Sequence, residues 1–300
     1  MVIRLNHSME RLCLSLFVKA FAKQPGTAVI IADLNSEGGE ALAKTLNEGD
    51  CAAKFVQVDV TNWISVTELF RTALTWLRTL DKNRTIDHIV CSAGVESEEM
   101  DLAPENPDSF LDRSAATRPP KSLSINVSIL GSLYTVSAAM KYGMGLHLHN
   151  AERGDKSITL LSSLAGYTGM SRRSDYTASK WGVRGLFRSL IDDAQSTTCP
   201  VRVNLIAPYF VMTPLLMHRV PLLQSLGIKF ATVEDVQEAV VRFMSDKSVH
   251  GRAVGIWQGG PVDLGDDLGG DFGSVAIRKG VEDGSLIKGS IYVTKRRERL

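Results

Sequence analysis

The chain has 300 residues, 44% of them hydrophobic, enough to bury a full core as one domain or a small pair. Its 34 basic and 33 acidic residues nearly cancel to a net +1, so no global field draws it to nucleic acid or an anionic membrane. Four scattered cysteines (Cys13, Cys51, Cys91, Cys199) lack C-x-x-C spacing and the six histidines lack ligand spacing; reduced thiols, a cytoplasmic location and no metal are expected.

In chain order, Val2–Leu5 offers a short first strand, thin for the centre of a sheet. Leu12–Ala22 is apolar but carries Lys19 and no small-residue cleavage site, so it reads as a helix and not a signal peptide. Thr27–Asp33 is a near-continuous apolar run, as in a strand covered on both faces. Lys54–Asp59, Ile86–Cys91, Ser157–Leu161, Val201–Ile206 and Ala253–Gln258 are the later strand candidates. Between them, Val66, Leu69, Phe70, Ala73, Leu74, Leu77 and Leu80 recur at helical spacing. Leu186 and Leu190 extend a helix past Lys180, and Thr232 with Asp235 forms an N-cap pair for a helix burying Val236, Ala239, Val240, Phe243 and Met244. Alternating strands and helices predict a doubly wound parallel sheet of Rossmann type, with a first strand that is short or incomplete. The domain is expected over 1–264, with a surface excursion at 96–121 and a C-terminal extension over 265–300. That extension ends Glu-Arg-Leu, a poor match to a peroxisomal Ser-Lys-Leu address. No apolar run reaches about 18 residues, so no membrane span is expected.

The chemistry-bearing constellation is Ser163, Tyr176 and Lys180, within Ser162-Ser163-Leu164-Ala165-Gly166 and Tyr176-Thr177-Ala178-Ser179-Lys180. Positions i and i+4 share a helix face, so the phenol and the ammonium would lie one turn apart. A free phenol titrates near about pH 10, and a cation beside it favours the phenolate, as a general acid/base at neutral pH requires. A serine hydroxyl from a strand end would hold the oxygen that gains or loses the proton.

With Asn126, Asn204-Leu205-Ile206-Ala207-Pro208 and Val211-Met212-Thr213-Pro214, this constellation resembles the short-chain dehydrogenase/reductase family from about Phe17 to Gly260. The resemblance implies a dimeric or tetrameric oxidoreductase that moves a hydride between NAD(H) and a small-molecule secondary alcohol or ketone. Tyr176 would be the acid/base and Ser163 would orient the substrate oxygen. Lys180 would bind the nicotinamide ribose and assist Tyr176, and Asn126 would hold a water of the proton relay. Asp33, closing the first long strand with no Arg or Lys after it, would accept the adenosine ribose hydroxyls and repel a 2′-phosphate, favouring NAD over NADP. Asp59 and Val60 match the adenine side, Ala93 and Gly94 the strand end beside the cofactor, and Val211 and Thr213 the nicotinamide amide.

One element of that pattern is missing. A glycine-rich fingerprint is expected at about His7–Leu14, where Ser8, Leu12 and Leu14 occupy the glycine positions and Glu10 sits inside the loop. Glycines there let backbone N–H groups reach a pyrophosphate. Two readings follow: a cofactor-impaired binding or regulatory module, or an N-terminus that is not the working protein's. The survival of Asp33, Ser163, Tyr176, Lys180 and Thr213 favours the second. On the substrate side, Tyr167, Met170, Tyr209, Phe210, Met212, Leu215, Leu216 and Met217 suit a bulky apolar or aromatic metabolite. Tyr209 stands where the family commonly has Gly, which resembles fungal secondary-metabolite dehydrogenases.

Overall fold

A computed structural model describes residues 2–6, 26–49, 51–95, 108, 111, 122–146, 154–196, 201–213, 216–217, 220–265 and 279–280. The expected glycine-loop positions, the helix over Leu12–Ala22, most of the 96–121 excursion and nearly all of the C-terminal extension lie outside them.

Strand β1 (Val2–Asn6) leads to β2 (Ala28–Asp33), helix α1 (Ser36–Asn47), β3 (Ala52–Gln57), α2 (Trp63–Leu80) and β4 (His88–Cys91). After these come a long helix α3 (Leu123–Gly143), β5 (Ser157–Leu161), α4 (Ser174–Ser196) and β6 (Arg202–Pro208). Helices α5 (Val220–Ser225) and α6 (Val233–Ser245), then strands β7 (Ala253–Trp257) and β8 (Gly260–Asp263), complete the order. The strands form one sheet in the order β3-β2-β1-β4-β5-β6-β7-β8, parallel throughout except for the final β7–β8 pair. This is the expected doubly wound α/β architecture. The short β1 is complete enough to sit at its centre, in register with β2 from Val2↔Val29 to Asn6↔Asp33 and with β4 from Val2↔His88.

The period-2 geometry of the strands splits the core between the two faces. In β2, Ala28, Ile30 and Ala32 pack with Leu69 and Phe70 of α2, while Val29 and Ile31 pack with Ala43 and Leu46 of α1. The α2 periodicity holds at Val66, Leu69, Phe70, Ala73 and Leu77, all buried; Leu80 ends exposed in the last turn. Helix α6 opens with a reciprocal capping box between Thr232 and Asp235. Strand β8 was not foreseen.

By length and composition alone, the 21-residue helix α3 holds an apolar window that could cross a bilayer. Interspersed serines kept contiguous apolar runs short, yet Lys141 is its one charge. Half of that window is buried inside the fold, where Gly131 packs against Val60 and Gly143 against Phe70.

Beneath the opposite end of the sheet, Arg202 ties three elements together. Its guanidinium donates to both Asp155 carboxylate oxygens at 2.8 and 2.6 Å and to the carbonyls of Phe243, Met244, Asp246 and Val249. Lys156, fully buried, donates to Asp87 at 2.6 Å and Thr85 at 2.7 Å.

Candidate active site

The strand order reverses between β1 and β4, and in an open parallel sheet this switch point leaves a crevice beyond the carboxyl ends of the strands. Strand β5 ends beside it at Leu161. Ser162 N donates to Ile206 O at 2.8 Å, carrying the ladder one residue further. Ser163 then leaves the sheet in extended conformation and caps the short turn Leu164–Gly166. Its Oγ accepts from Ala165 N at 3.1 Å and donates to Pro208 O at 3.2 Å.

Helix α4 returns over this edge with Tyr176 in its first turn and Lys180 in the next. Tyr176 is half-buried and Lys180 is buried. The Lys180 Nζ lies 5.6 Å from the Tyr176 ring centroid and donates to Leu161 O at 3.4 Å. Gly166 makes this close approach possible: a Cβ there would lie 2.6 Å from Ser162 Oγ and 2.8 Å from Lys180 O. The i, i+4 spacing therefore gathers the phenol and the ammonium at the end of the strand that carries Ser163.

Asn126 is exposed, at the start of a π-helical turn, Asn126–Leu130, within α3. Ser128, two residues on, is 1% exposed and faces inward. A Cβ built on Gly94 would sit 3.3 Å from Lys180 Nζ and 3.9 Å from Ser128 Oγ, so both groups flank one point beside β4. Ser124, Val127, Ser128, Gly131 and Thr135 are buried at helical spacing, while Asn126 is exposed.

The residues around the crevice fit a nicotinamide dinucleotide. Asp33 closes β2 with a buried carboxylate that accepts from Asn35 N at 2.9 Å and, having two oxygens, can accept further bonds. Asp59 accepts from Thr61 N at 2.9 Å and Thr61 Oγ1 at 2.7 Å, fixing the turn after β3, and Val60 beside it is fully buried. Ala93 and Gly94 follow β4, and at Gly94 the bare backbone leaves room that a side chain would take from Lys180. Val211 pairs with Ala231 in an isolated bridge, and Thr213 beyond it is buried. Cys91, at the end of β4, is a buried thiol pushed up to about 12 by loss of solvation, so it stays protonated and inert.

Aromatic groups gather after β6. The Tyr209 and Phe210 rings are 4.5 Å apart, and Phe210 meets Phe230 edge-on at 6.5 Å. Burial raises the Tyr209 phenol, keeping it neutral. Tyr167 carries Arg184 over its ring at 3.8 Å, and that guanidinium also donates to Gly166 O at 3.1 Å. Met212 and Met217 are exposed. Leu215 lies outside the described residues.

A family model described as short chain dehydrogenase matches residues 16–221. Among curated proteins, the chain is 34% identical over 253 residues to a 5'-hydroxyaverantin dehydrogenase of Dothistroma septosporum, spanning 81% of this chain and 80% of that relative. It is 29% identical to an NADP-dependent dehydrogenase of a Phoma species, over 76% of this chain and 67% of the relative. Among solved structures, levodione reductase superposes with a TM-score of 0.65 at 20% identity, covering 85% of this chain and 95% of that one, a likeness of fold.

Proposed function

This chain belongs to the short-chain dehydrogenase family and is an oxidoreductase of that family; we propose that it moves a hydride between NAD(H) and a bulky, partly aromatic secondary alcohol or its ketone. The observation that carries this reading is the Lys180 ammonium held 5.6 Å from the Tyr176 ring at the strand end that bears Ser163. The bound nicotinamide supplies the hydride acceptor or donor; the residues supply orientation and the proton.

For alcohol oxidation, the substrate hydroxyl lies between Ser163 and Tyr176. Ser163 Oγ already accepts from Ala165 N, so its single proton can be given to the substrate oxygen in exchange for the bond to Pro208 O. Tyr176 as phenolate takes the hydroxyl proton while the carbon gives up its hydride. Lys180 stabilises that phenolate by its charge, an attraction strengthened because the ammonium is buried. In the reverse direction Tyr176 donates the proton to the carbonyl oxygen.

Two finer assignments belong to the same proposal. Asp33 favours NAD over NADP, because a buried carboxylate at the ribose end of β2 opposes a 2′-phosphate. Tyr209, Phe210 and Phe230 favour a bulky apolar substrate, and a relative named for dehydrogenating 5'-hydroxyaverantin supports an alcohol. Incubation with NAD and a panel of secondary alcohols should give NADH only with bulky apolar members; turnover confined to small polyols refutes the substrate class.

A second reading rests on Ser8, Leu12 and Leu14 at the expected glycine positions, with Glu10 between them. In that reading the chain is a binding module without turnover. Titration of NADH fluorescence separates the two: micromolar binding supports the enzyme, and no binding supports the module.

A further inference from the structure

We infer that Arg184 is a positioning residue of the reaction: its guanidinium grips the turn that holds Ser163 and so sets where the serine hydroxyl meets the substrate oxygen. The inference rests on the assignment of Ser163 and Tyr176 above and adds a residue to it.

Besides its bond to Pro208 O, Ser163 is held by the turn that follows it. Its Oγ accepts from Ala165 N at 3.1 Å, and its carbonyl accepts from Gly166 N at 2.8 Å. Both oxygens of Ser163 therefore move wherever residues 164–166 move. That turn, Leu164–Gly166, is a single 3₁₀ turn of three residues. Such turns are short and poor in hydrogen-bond geometry, so this one must be fixed from outside.

Helix α4 fixes it from two consecutive turns. At Lys180 the two backbones touch, since a Cβ on Gly166 would lie 2.8 Å from Lys180 O. One turn later comes Arg184, on the helix face of Tyr176 and Lys180. Its Nη1 donates to Gly166 O at 3.1 Å. Gly166 thus bonds through its N–H to Ser163 and through its carbonyl to Arg184, placing two hydrogen bonds in series between the guanidinium and the Ser163 backbone. The next residue, Tyr167, lies under the guanidinium with its ring centroid 3.8 Å from Arg184 Cζ, and the Trp181 ring flanks it at 5.2 Å.

The chemistry of the side chain suits this double hold. A guanidinium is planar, so its edge donates to a carbonyl while its face stacks on a ring. An ammonium is a compact point charge with no face to stack. Arg184 is only 5% exposed, and burial strengthens its bond to Gly166 O by excluding water from it. Burying an arginine is costly unless its group is paired. Arg188, one turn further along α4, is exposed. Arg184 moves no proton and forms no covalent bond; it acts through Gly166. Displacing a reacting group by about 1 Å is enough to slow turnover about a hundredfold.

The test pairs structure with kinetics on the full chain. In crystals of Arg184→Ala, the turn at 164–167 should move away from α4 and Ser163 Oγ should lose its hydrogen bond to Pro208 O. A turn placed as in the unaltered chain overturns the inference, whatever the activity. With NAD and a bulky secondary alcohol, kcat of Arg184→Ala should fall about tenfold to a hundredfold. Substrate KM and the Kd for NADH should stay within a few fold, with the number of NADH sites unchanged. Loss of NADH sites in step with kcat would mark a weakened fold and overturns the positioning role. Arg184→Lys should stay close to Arg184→Ala, because an ammonium lacks the planar fork. Full recovery in Arg184→Lys traces the effect to charge alone and overturns the assignment. Tyr176→Phe runs alongside. If it is inactive while Arg184→Ala keeps the wild-type kcat, only the role of Arg184 falls. If Tyr176→Phe itself turns over normally, the functional reading falls first. Should Arg184→Ala not fold, Arg184→Lys carries the same structural and kinetic comparison.

Discussion

Ser162 Oγ donates to the backbone carbonyl of Lys180 at 2.8 Å, fastening the second turn of α4 to the carboxyl end of β5. The serine beside Ser163 thus helps set the position of the helix that carries Tyr176 and Lys180. Removing it takes away the second hydrogen bond of a mid-helix carbonyl that keeps its helical N–H, a loss of about 0.5–1.5 kcal/mol. Ser162→Ala should lower the urea midpoint accordingly and reduce kcat more than cofactor affinity. Gly166→Ala should do more damage, since its methyl would press on the Lys180 carbonyl at 2.8 Å. Unchanged kcat in both variants would show that this fastening does not position the site.

Arg202 is expected to be the most sensitive position outside the site. Its guanidinium is buried and satisfied by Asp155 and four carbonyls spread over α6 and the turn after it. Arg202→Ala takes this donor from the Asp155 carboxylate and from the Phe243 and Met244 carbonyls, while Val249 O keeps Asn204 Nδ2 and Asp246 O keeps Val249 N; breaking a buried pair from one side costs about 3–5 kcal/mol. Arg202→Lys should recover little, because an ammonium cannot reproduce the planar fork. Chemical denaturation of both variants checks this; a loss under about 1 kcal/mol for Arg202→Ala contradicts it.

Acid should weaken the fold through His88. The imidazole Nδ1 lies 2.9 Å from Ser157 Oγ, and burial pushes the group down to about 4. The unfolded chain takes up a proton near pH 6.5, which the folded chain refuses until about pH 4. The contribution is therefore fully present above 6.5 and is lost as pH falls through that interval, to a limit of about 3 kcal/mol. Asp155 adds its own loss lower down: burial raises its carboxyl, but the bond to Arg202 outweighs that and holds it below the usual range. Urea midpoints between pH 7 and 4 should fall less steeply in His88→Gln than in wild type. Parallel curves would remove His88 from the account.

Cofactor choice should respond to charge at Asp33. Asp33→Asn keeps an acceptor for Asn35 N and removes the negative charge at the end of β2. The ratio of NADPH to NADH affinity should rise about tenfold or more, since a like charge costs several kcal/mol at a contact. Fluorescence titration with both cofactors reads this directly; an unchanged ratio places the ribose recognition elsewhere.

Much of this fold was legible because its elements are long or two-sided. Ala28–Asp33 reads as a buried strand since every residue in it is apolar until the terminal acid, and α2 reads as a helix because Val66 to Leu77 repeat over several turns. Two features were less legible for physical reasons: β1 showed only as a short candidate, and β8 not at all. Strand β1 is five residues with Arg4 at its middle, and its place at the centre comes from pairing on both sides, which no local pattern reports. Strand β8, Gly-Pro-Val-Asp, is held by its antiparallel partner β7 and lacks any alternation of its own. Within the site, Ser163, Tyr176 and Lys180 follow from spacing, because a regular helix turn converts i, i+4 into contact. The π-turn at Asn126–Leu130, with Asn126 exposed and Ser128 buried, is a local irregularity that spacing alone does not report.

The most direct test of the central claim is the turnover of Tyr176→Phe at saturating NAD and alcohol, with the Kd for NADH measured on the same sample. Loss of general acid/base catalysis predicts a fall in kcat of about 10²–10⁴-fold or more, with the Kd within a few fold of wild type. A variant that turns over at close to the wild-type rate would contradict the claim that the Tyr176 oxygen carries the proton.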